Sequence, residues 1–202
     1  MNIRGILVCT VIVLGATGAT GGQYNSALNI GDDAPAWTDL PGTDGKKHAL
    51  ADLSDKDVVV VVFTCNSCPA AELYEDRIIA FTKKYCGPNE KVALVAINVN
   101  TLAEDRLDKM TERAKEKEFS FPYLYDESQK IGKKYGAGFT PEFFVLNKAR
   151  KIVYMGAMDD RSPPAAPKSP YLESAVQAAL KGEKPAVTET LARGCKVRYG
   201  KK

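Results

Sequence analysis

The sequence predicts an α/β fold with a central mixed sheet flanked by helices. Three observations support this prediction: a run of β-branched residues at Val58–Phe63, an amphipathic stretch directly after it, and a later pair of strand-like segments joined by a polar turn. A β-branched run without alternation is typical of a strand buried on both faces, as in a parallel sheet. Strands that alternate with helices, followed by a hairpin and a last helix, give a layered sandwich.

Local patterns place the individual elements. After the first strand, apolar residues recur every three or four positions, which predicts a helix of about four turns that Gly87-Pro88 ends. Those apolar residues are Ala71, Tyr74, Ile78, Phe81 and Tyr85. The other predicted elements are a strand at 92–99, a helix at 103–114, an extended piece at 121–124, a helix from 126 to 136, hairpin strands at 142–146 and 151–155, and a helix at 171–181.

Composition limits the function classes. The chain has 202 residues, with 28 Lys and Arg against 25 Asp and Glu and a formal net charge of +3. This balance argues against a disordered protein and against a nucleic-acid binder that relies on net charge, so we expect no nucleic-acid partner. The length suffices for one sizeable core, predicted at 22–182 and followed by an irregular basic tail at 183–202.

Residues 1–21 have the organisation of a secretory signal peptide. Arg4 precedes an apolar run at 6–14, and small or polar residues follow at 15–22. The run is much shorter than the roughly 20 residues of a membrane-spanning helix, so we expect cleavage, no stable membrane span afterwards, and a secreted or periplasmic location. Cleavage removes Cys9 and leaves four cysteines, which can form disulfides in an oxidising compartment.

Cys65 and Cys68 form a C-x-x-C pair at the junction of the buried strand and the first helix. A helix N-terminus stabilises a thiolate through its unpaired N–H groups and its dipole. Cys65 is therefore the predicted nucleophile, and Cys68 is the predicted resolving thiol that breaks the mixed disulfide. A zinc site would need two more ligands, and the only histidine, His48, falls in a predicted hairpin. A structural disulfide is the other alternative, although so short a loop constrains the unfolded chain little.

These residues make the chain similar to the thioredoxin-like superfamily, specifically the secreted redoxin (AhpC/TSA and TlpA-like) branch. The similarity runs over about 31–182 and rests on 31–37, on 44–46, on the strand that leads into Cys65-Asn66-Ser67-Cys68-Pro69, and on Thr140-Pro141. It implies a thioredoxin-like fold with an α-β insertion at 103–125. It also implies that Thr140-Pro141 is a cis bond facing the dithiol and that the Thr140 backbone binds an extended substrate segment.

The chain also departs from this family's pattern. Many thioredoxins carry a buried carboxylate where this chain has Val59, and Glu72, on the helix face of Cys68, is the candidate proton acceptor in its place. A solvated helix carboxylate is the alternative interpretation of Glu72. Members of the subgroup often have His where this chain has Ser67, and the residues between the cysteines tune the reduction potential.

The predicted function is an extracytoplasmic thiol-disulfide oxidoreductase. It exchanges disulfides with protein partners, depends on an upstream redox partner, and needs neither cofactor nor metal. A peroxiredoxin-like peroxidase is one alternative, although Val62 and Val58 replace the Thr and Pro of that motif. Copper-delivery redoxins use a wider cysteine spacing and a distant His. A non-catalytic thioredoxin-like interaction module is the remaining alternative.

Two further cysteines have no assigned partner in the sequence. Cys86 and Cys195 together make the mature count even, which motivates the hypothesis of a second, structural disulfide. Alternatively, Cys195 is a third redox thiol that reaches Cys65. The sequence leaves both hypotheses open.

Overall fold

The computed structural model describes residues 21–163 and 165–200. The predicted signal peptide, apart from Gly21, and Cys9 lie outside the described residues. The helices are α1 (Pro69–Tyr85), α2 (Leu107–Glu116), α3 (Lys130–Tyr135) and α4 (Tyr171–Leu180), with 3-10 turns at Leu50–Leu53 and Ala103–Asp105. The strands are β1 (Leu40–Pro41), β2 (Lys47–His48), β3 (Val58–Phe63), β4 (Val92–Asn98), β5 (Tyr123–Tyr125), β6 (Phe139–Thr140), β7 (Glu142–Leu146), β8 (Ile152–Gly156) and β9 (Cys195–Lys196). None of the helices in this part of the chain is long and apolar enough to cross a membrane.

A five-stranded mixed sheet organises the domain, in the order β5-β4-β3-β7-β8. Strand β3 is central and runs parallel to β4 and antiparallel to β7. Strand β5 is parallel to β4, and β8 closes the other edge by antiparallel pairing with β7. The predicted α/β fold with a mixed sheet is therefore confirmed. Because β3, β4 and β5 are parallel, their carboxyl ends meet at one edge of the sheet.

The core lies on both faces of this sheet, which explains why β3 has no alternation. Val58, Val60 and Val62 pack on one face with apolar side chains of α1, α2 and α4. Val59, Val61 and Phe63 pack on the other face with Trp37 and with residues of α3, including Tyr135. All six side chains of β3 are fully buried, as the β-branched run predicted.

The structure corrects the predicted start of two helices. Helix α3 begins at Lys130 rather than at 126. Asp126 lies before the helix and binds its first turn, because its Oδ2 accepts the N–H groups of Ile131 (2.8 Å) and Gly132 (3.0 Å). In the predicted helix at 103–114, a 3-10 turn comes first and α2 starts only at Leu107.

The C-terminal tail is more ordered than predicted. Its first part lies along the edge of the sheet, where Met155 donates to the carbonyl of Thr188 and accepts from Thr190, each at 3.0 Å. Its last part forms strand β9, which pairs antiparallel with β6. Backbone groups of an edge strand are open for such pairing, and this long-range contact has no local signal in the sequence.

Candidate active site

The dithiol lies in a turn at the carboxyl edge of the sheet. Cys65 follows the end of β3, and Cys68 is the N-cap of α1, with an extended backbone (φ −101°, ψ 111°). Pro69 is the first helical residue, where the missing N–H costs nothing, and proline disfavours helical geometry in the residue before it. The helix therefore begins one residue after the motif, so its N-terminus meets Cys68, not Cys65 as the sequence predicted.

Cys68 lies at the N-terminus of α1, where backbone N–H groups stabilise a thiolate. Its Sγ accepts the N–H of Ala71 at 3.3 Å, in the first turn of α1. Its pKa is lowered to about 4, chiefly by the thiol of Cys65 and also by hydrogen bonds from Cys195, Thr140 and Ala71, which together outweigh burial. Stabilisation of a thiolate by N–H groups and neighbouring donors is the usual cause of such a shift.

The pKa of Cys65 is shifted in the opposite direction. Its hydrogen bond to Cys68 and its burial both raise its pKa, although Thr140 and Ser67 act in the opposite direction. Its Sγ lies 3.4 Å from Oγ1 of Thr140 and 3.8 Å from Oγ of Ser67. The two thiols are hydrogen-bonded to each other and therefore titrate as a pair.

Thr140-Pro141 lies against the dithiol. The peptide bond between these residues is cis, as the family resemblance implied. The Cys68 thiol donates to the Thr140 carbonyl oxygen at 3.1 Å, a contact that needs a proton on Cys68, and Thr140 therefore contacts both thiols. Behind the bond, Oε2 of buried Glu142 accepts the N–H groups of Gly138 (2.7 Å) and Phe139 (3.1 Å), which positions β6.

A buried carboxylate, Asp105, holds the turn between the cysteines. Its Oδ1 accepts the N–H groups of Asn66 (2.8 Å) and Ser67 (3.0 Å), and its Oδ2 accepts the Ser67 hydroxyl (2.5 Å). Asn98, at the end of β4, donates to the Asp105 carbonyl at 3.2 Å. The sequence analysis missed Asp105, because its only signal is its place shortly after the second parallel strand.

Glu72, the candidate proton acceptor, forms an ion pair at the protein surface. Its side chain is exposed and forms an ion pair with Arg113 (3.0 Å), as a solvated helix carboxylate would. The buried carboxylate on this helix is Glu75, whose two oxygens accept from Arg113 at 2.9 and 2.7 Å.

Cys195 lies beside the dithiol, whereas Cys86 lies at the other end of α1. Cys195 is half-buried in β9, opposite Thr140, and its thiol interacts with that of Cys68. Cys86 is the C-cap of α1, whose 17 residues separate it from Cys68 by about 25 Å. The structure therefore excludes a Cys86–Cys195 disulfide in this conformation, and it brings Cys195 to Cys68 rather than to Cys65.

The structure gives the alternative chemistries no support. His48 pairs with Asp44 (3.0 Å) in the hairpin of β1 and β2. Among residues 21–163 and 165–200, no three His, Cys, Asp or Glu side chains cluster in a way that could hold a metal ion. Val62 and Val58, at the places of the peroxidase motif, are fully buried in β3.

Comparison with known proteins identifies the family. The family described as Redoxin matches residues 29–174, which include the dithiol turn and the cis-proline loop. The chain belongs to the redoxin family. No curated protein matches this redoxin.

Solved structures agree with the family assignment. This redoxin is similar to a hypothetical protein from Sinorhizobium meliloti 1021, with 32% identity over 87% of this chain and 97% of that one, and a TM-score of 0.80. An uncharacterized conserved protein from Geobacillus kaustophilus has 31% identity over 85% and 93% of the two chains, and a TM-score of 0.78. A putative thioredoxin from Neisseria meningitidis, 23% identical over 74% and 92% of the chains, has a TM-score of 0.59 and shows the thioredoxin-like fold alone.

Proposed function

We propose that this redoxin is an extracytoplasmic thiol-disulfide oxidoreductase that acts on protein partners through Cys65 and Cys68. The observation that carries the proposal is the contact between both thiols and Thr140, the residue before the cis-proline. A disulfide exchange needs a thiolate, a second thiol and a site that aligns the partner chain. The dithiol turn and the backbone of β6, which pairs with β9 in this conformation, supply these three requirements within one small region.

The reaction is a two-step exchange. A thiolate of the dithiol attacks one sulfur of the partner disulfide, and the other partner sulfur leaves as a thiolate that takes up a proton. The second thiol then loses its proton and attacks the mixed disulfide, so the partner leaves with two thiols while Cys65 and Cys68 become a disulfide. An upstream dithiol partner reduces that disulfide again, and the reverse sequence oxidises a partner dithiol.

The structure bears on which cysteine attacks first. The order of the motif predicts Cys65, whereas the N-cap position and its hydrogen bonds favour the thiolate on Cys68. We propose that Cys68 carries the reactive thiolate once the tail has been displaced and the hydrogen bond of Cys68 to the Thr140 carbonyl is lost, and that Cys65 supplies the proton and the second sulfur.

Recognition and location complete the proposal. The near-neutral net charge of +3 leaves little long-range attraction, so partner binding would depend on backbone pairing beside Thr140.

The signal-like segment at 1–21 supports export. N-terminal sequencing of the protein purified from its native cells tests this, since an intact Met1 in the exported fraction would contradict cleavage.

Reduction of insulin disulfides by the mature protein, with dithiothreitol as electron donor, tests the activity. We expect C65S and C68S to lose the accelerated rate, whereas C86S keeps it, because Cys86 is half-buried at the far end of α1. Equal rates in C65S, C68S and the unsubstituted protein would reject the proposal and leave a non-catalytic module.

A further inference from the structure

We propose that Cys195 is a third exchanging thiol and that residues 194–197 are an internal substrate of the dithiol. This inference rests on the proposed function and adds a regulatory step to it. A partner protein would have to displace this segment before it reaches the cysteines.

The backbone of the segment occupies the position proposed for a partner. Cys195 lies opposite Thr140 and Lys196 opposite Phe139 in the antiparallel pair of β9 and β6. One residue further on, the N–H of Val197 donates to the Gly138 carbonyl at 2.9 Å. Strand addition of this kind satisfies the open backbone groups of an edge and leaves the alternate side chains to determine specificity. The tail therefore pairs with the same groups that an extended substrate would use.

The thiols of Cys65, Cys68 and Cys195 are close neighbours. The three cysteines share one small apolar cluster with Ala70 and Ala71, and the thiol of Cys68 forms hydrogen bonds with those of Cys65 and Cys195. With the tail in place, only 3% of Cys65 and 1% of Cys68 is exposed, which leaves no room for the chain of a partner protein. Cys195 is half-buried, at the outer side of this cluster.

The exchange needs no oxidant other than the disulfide that the proposed activity forms between Cys65 and Cys68. When Cys65 and Cys68 form a disulfide, the Cys195 thiol loses its proton and its sulfur attacks Sγ of Cys68. A bond forms between Cys195 and Cys68, and Cys65 leaves as a thiolate that takes up a proton, so one disulfide replaces another with no net oxidation. The product is an oxidised protein with its tail held covalently over the site and Cys65 free as a thiol.

Hydrogen bonds on both sides of Cys195 hold the tail beside the dithiol. Upstream, Arg193 donates to the Asp160 carbonyl at 3.0 Å. Downstream, the Tyr199 hydroxyl donates to the Ala137 carbonyl at 2.7 Å. A thiol held by contacts on both sides has a high effective concentration at its target, which for tethered groups reaches the millimolar range or more.

Disulfide mapping of C65S tests the exchange. The mature variant is treated with glutathione disulfide, alkylated, digested and mapped by mass spectrometry without reduction. Glutathione first forms a mixed disulfide with Cys68, and Cys195 then displaces it. We expect the Cys68–Cys195 disulfide to exceed the Cys68–glutathione adduct by about tenfold at roughly 0.1 mM glutathione. Persistence of the adduct with Cys195 free would overturn the proposal.

Gly194 offers a point variant that opens the tail. A Cβ at this position would overlap the carbonyl oxygen of Thr140, so Gly194→Ala must separate β9 from β6. Gly200→Ala is the matched control in the same tail, because its Cβ would meet only Gln129 Oε1, at an ordinary distance of 3.5 Å. We expect G194A to speed alkylation of Cys68 and reduction of insulin by about tenfold, as the loss of a few backbone hydrogen bonds implies, with G200A unchanged. Unchanged rates in G194A would overturn the internal-substrate role.

Different results would reject the internal-substrate role and the proposed oxidoreductase function. If insulin is reduced through Cys65 and Cys68 while Cys195 stays free and G194A has no effect, the inference is wrong and the proposed function stands. If G194A, folded and with an exposed dithiol, does not reduce insulin, the proposed function is wrong. The internal-substrate role then falls with it, even where mapping finds a Cys68–Cys195 disulfide.

Discussion

Ser67 is joined to Asp105 by both its hydroxyl and its backbone: Oγ donates to Oδ2 at 2.5 Å, and N–H donates to Oδ1 at 3.0 Å. This contact links the loop after β3 to the loop after β4. The two strands are parallel neighbours, so their carboxyl ends lie side by side and a short acidic residue can bridge them. The conformation of the dithiol turn therefore depends on a residue outside the motif.

Substitution of Asp105 by Ala should destabilise the protein. It removes a fully buried acceptor and leaves the N–H groups of Asn66 and Ser67 without their partner. We expect the free energy of unfolding to fall by about 3 kcal/mol, since hydrogen bonds to a charged group contribute about 1.5–3 kcal/mol each. Urea denaturation measures the change. Glu104→Gln, at the exposed neighbouring position, is the control, and an equal loss in both variants would contradict the role of Asp105.

Glu142 should make stability depend on pH. Burial raises its pKa to about 7, against about 4.3 in an unfolded chain. Between these values the folded state binds more protons, so this group contributes stability below about pH 4.3 and loses it as the pH rises to about 7, by roughly 4 kcal/mol in all. Gln is isosteric with the protonated acid and can accept the same N–H groups.

Urea midpoints at about pH 5 and pH 8 test this dependence, because these values lie on either side of the raised pKa. We expect Glu142→Gln to be more stable relative to the unsubstituted protein at the higher pH than at the lower one. Glu127→Gln, an exposed position, should show no such difference. A parallel shift of E142Q at both pH values would mean that Glu142 does not titrate in this range.

Alkylation at low pH should identify the thiolate. At about pH 6, where an ordinary thiol is almost fully protonated, iodoacetamide should modify Cys68 faster than Cys65, because the pKa of Cys68 is lowered and that of Cys65 is raised. Burial raises the pKa of Cys86 to about 11, so this half-buried residue is an internal control that should react more slowly than Cys68. Peptide mapping after short reaction times gives the order. Faster labelling of Cys65 would restore the assignment made from the motif.

Arg113 should contribute to stability through Glu75. Its guanidinium contacts both oxygens of this largely buried carboxylate, and Arg113→Met would leave the charge without its main partner. We expect a loss of about 3 kcal/mol in unfolding free energy, as for other broken buried pairs. Lys109→Met, which breaks the exposed pair with Glu112, should change stability by no more than about 0.5 kcal/mol. Similar losses in the two variants would contradict the difference in burial.

Local patterns were enough to predict the architecture. The buried run of β3, the apolar spacing of α1 and the hairpin of β7 and β8 all reflect interactions between residues close in sequence or the uniform burial of one element. The C-x-x-C pair could be recognised for the same reason, whereas the role of Thr140-Pro141 followed only from the resemblance to the redoxin branch, together with Cys65 and Cys68.

Only the tertiary structure decided which distant groups complete the site. Asp105 reaches the dithiol turn because parallel strands end at one edge, and Cys195 reaches Cys68 because β6 has open backbone groups that the tail can pair with. Neither contact has a periodicity or a spacing that a sequence could display, since both depend on how edges and loops meet after the sheet has formed. Two of the four cysteines in the described part of the chain were therefore assigned from the motif, and the place of the other two followed from the fold.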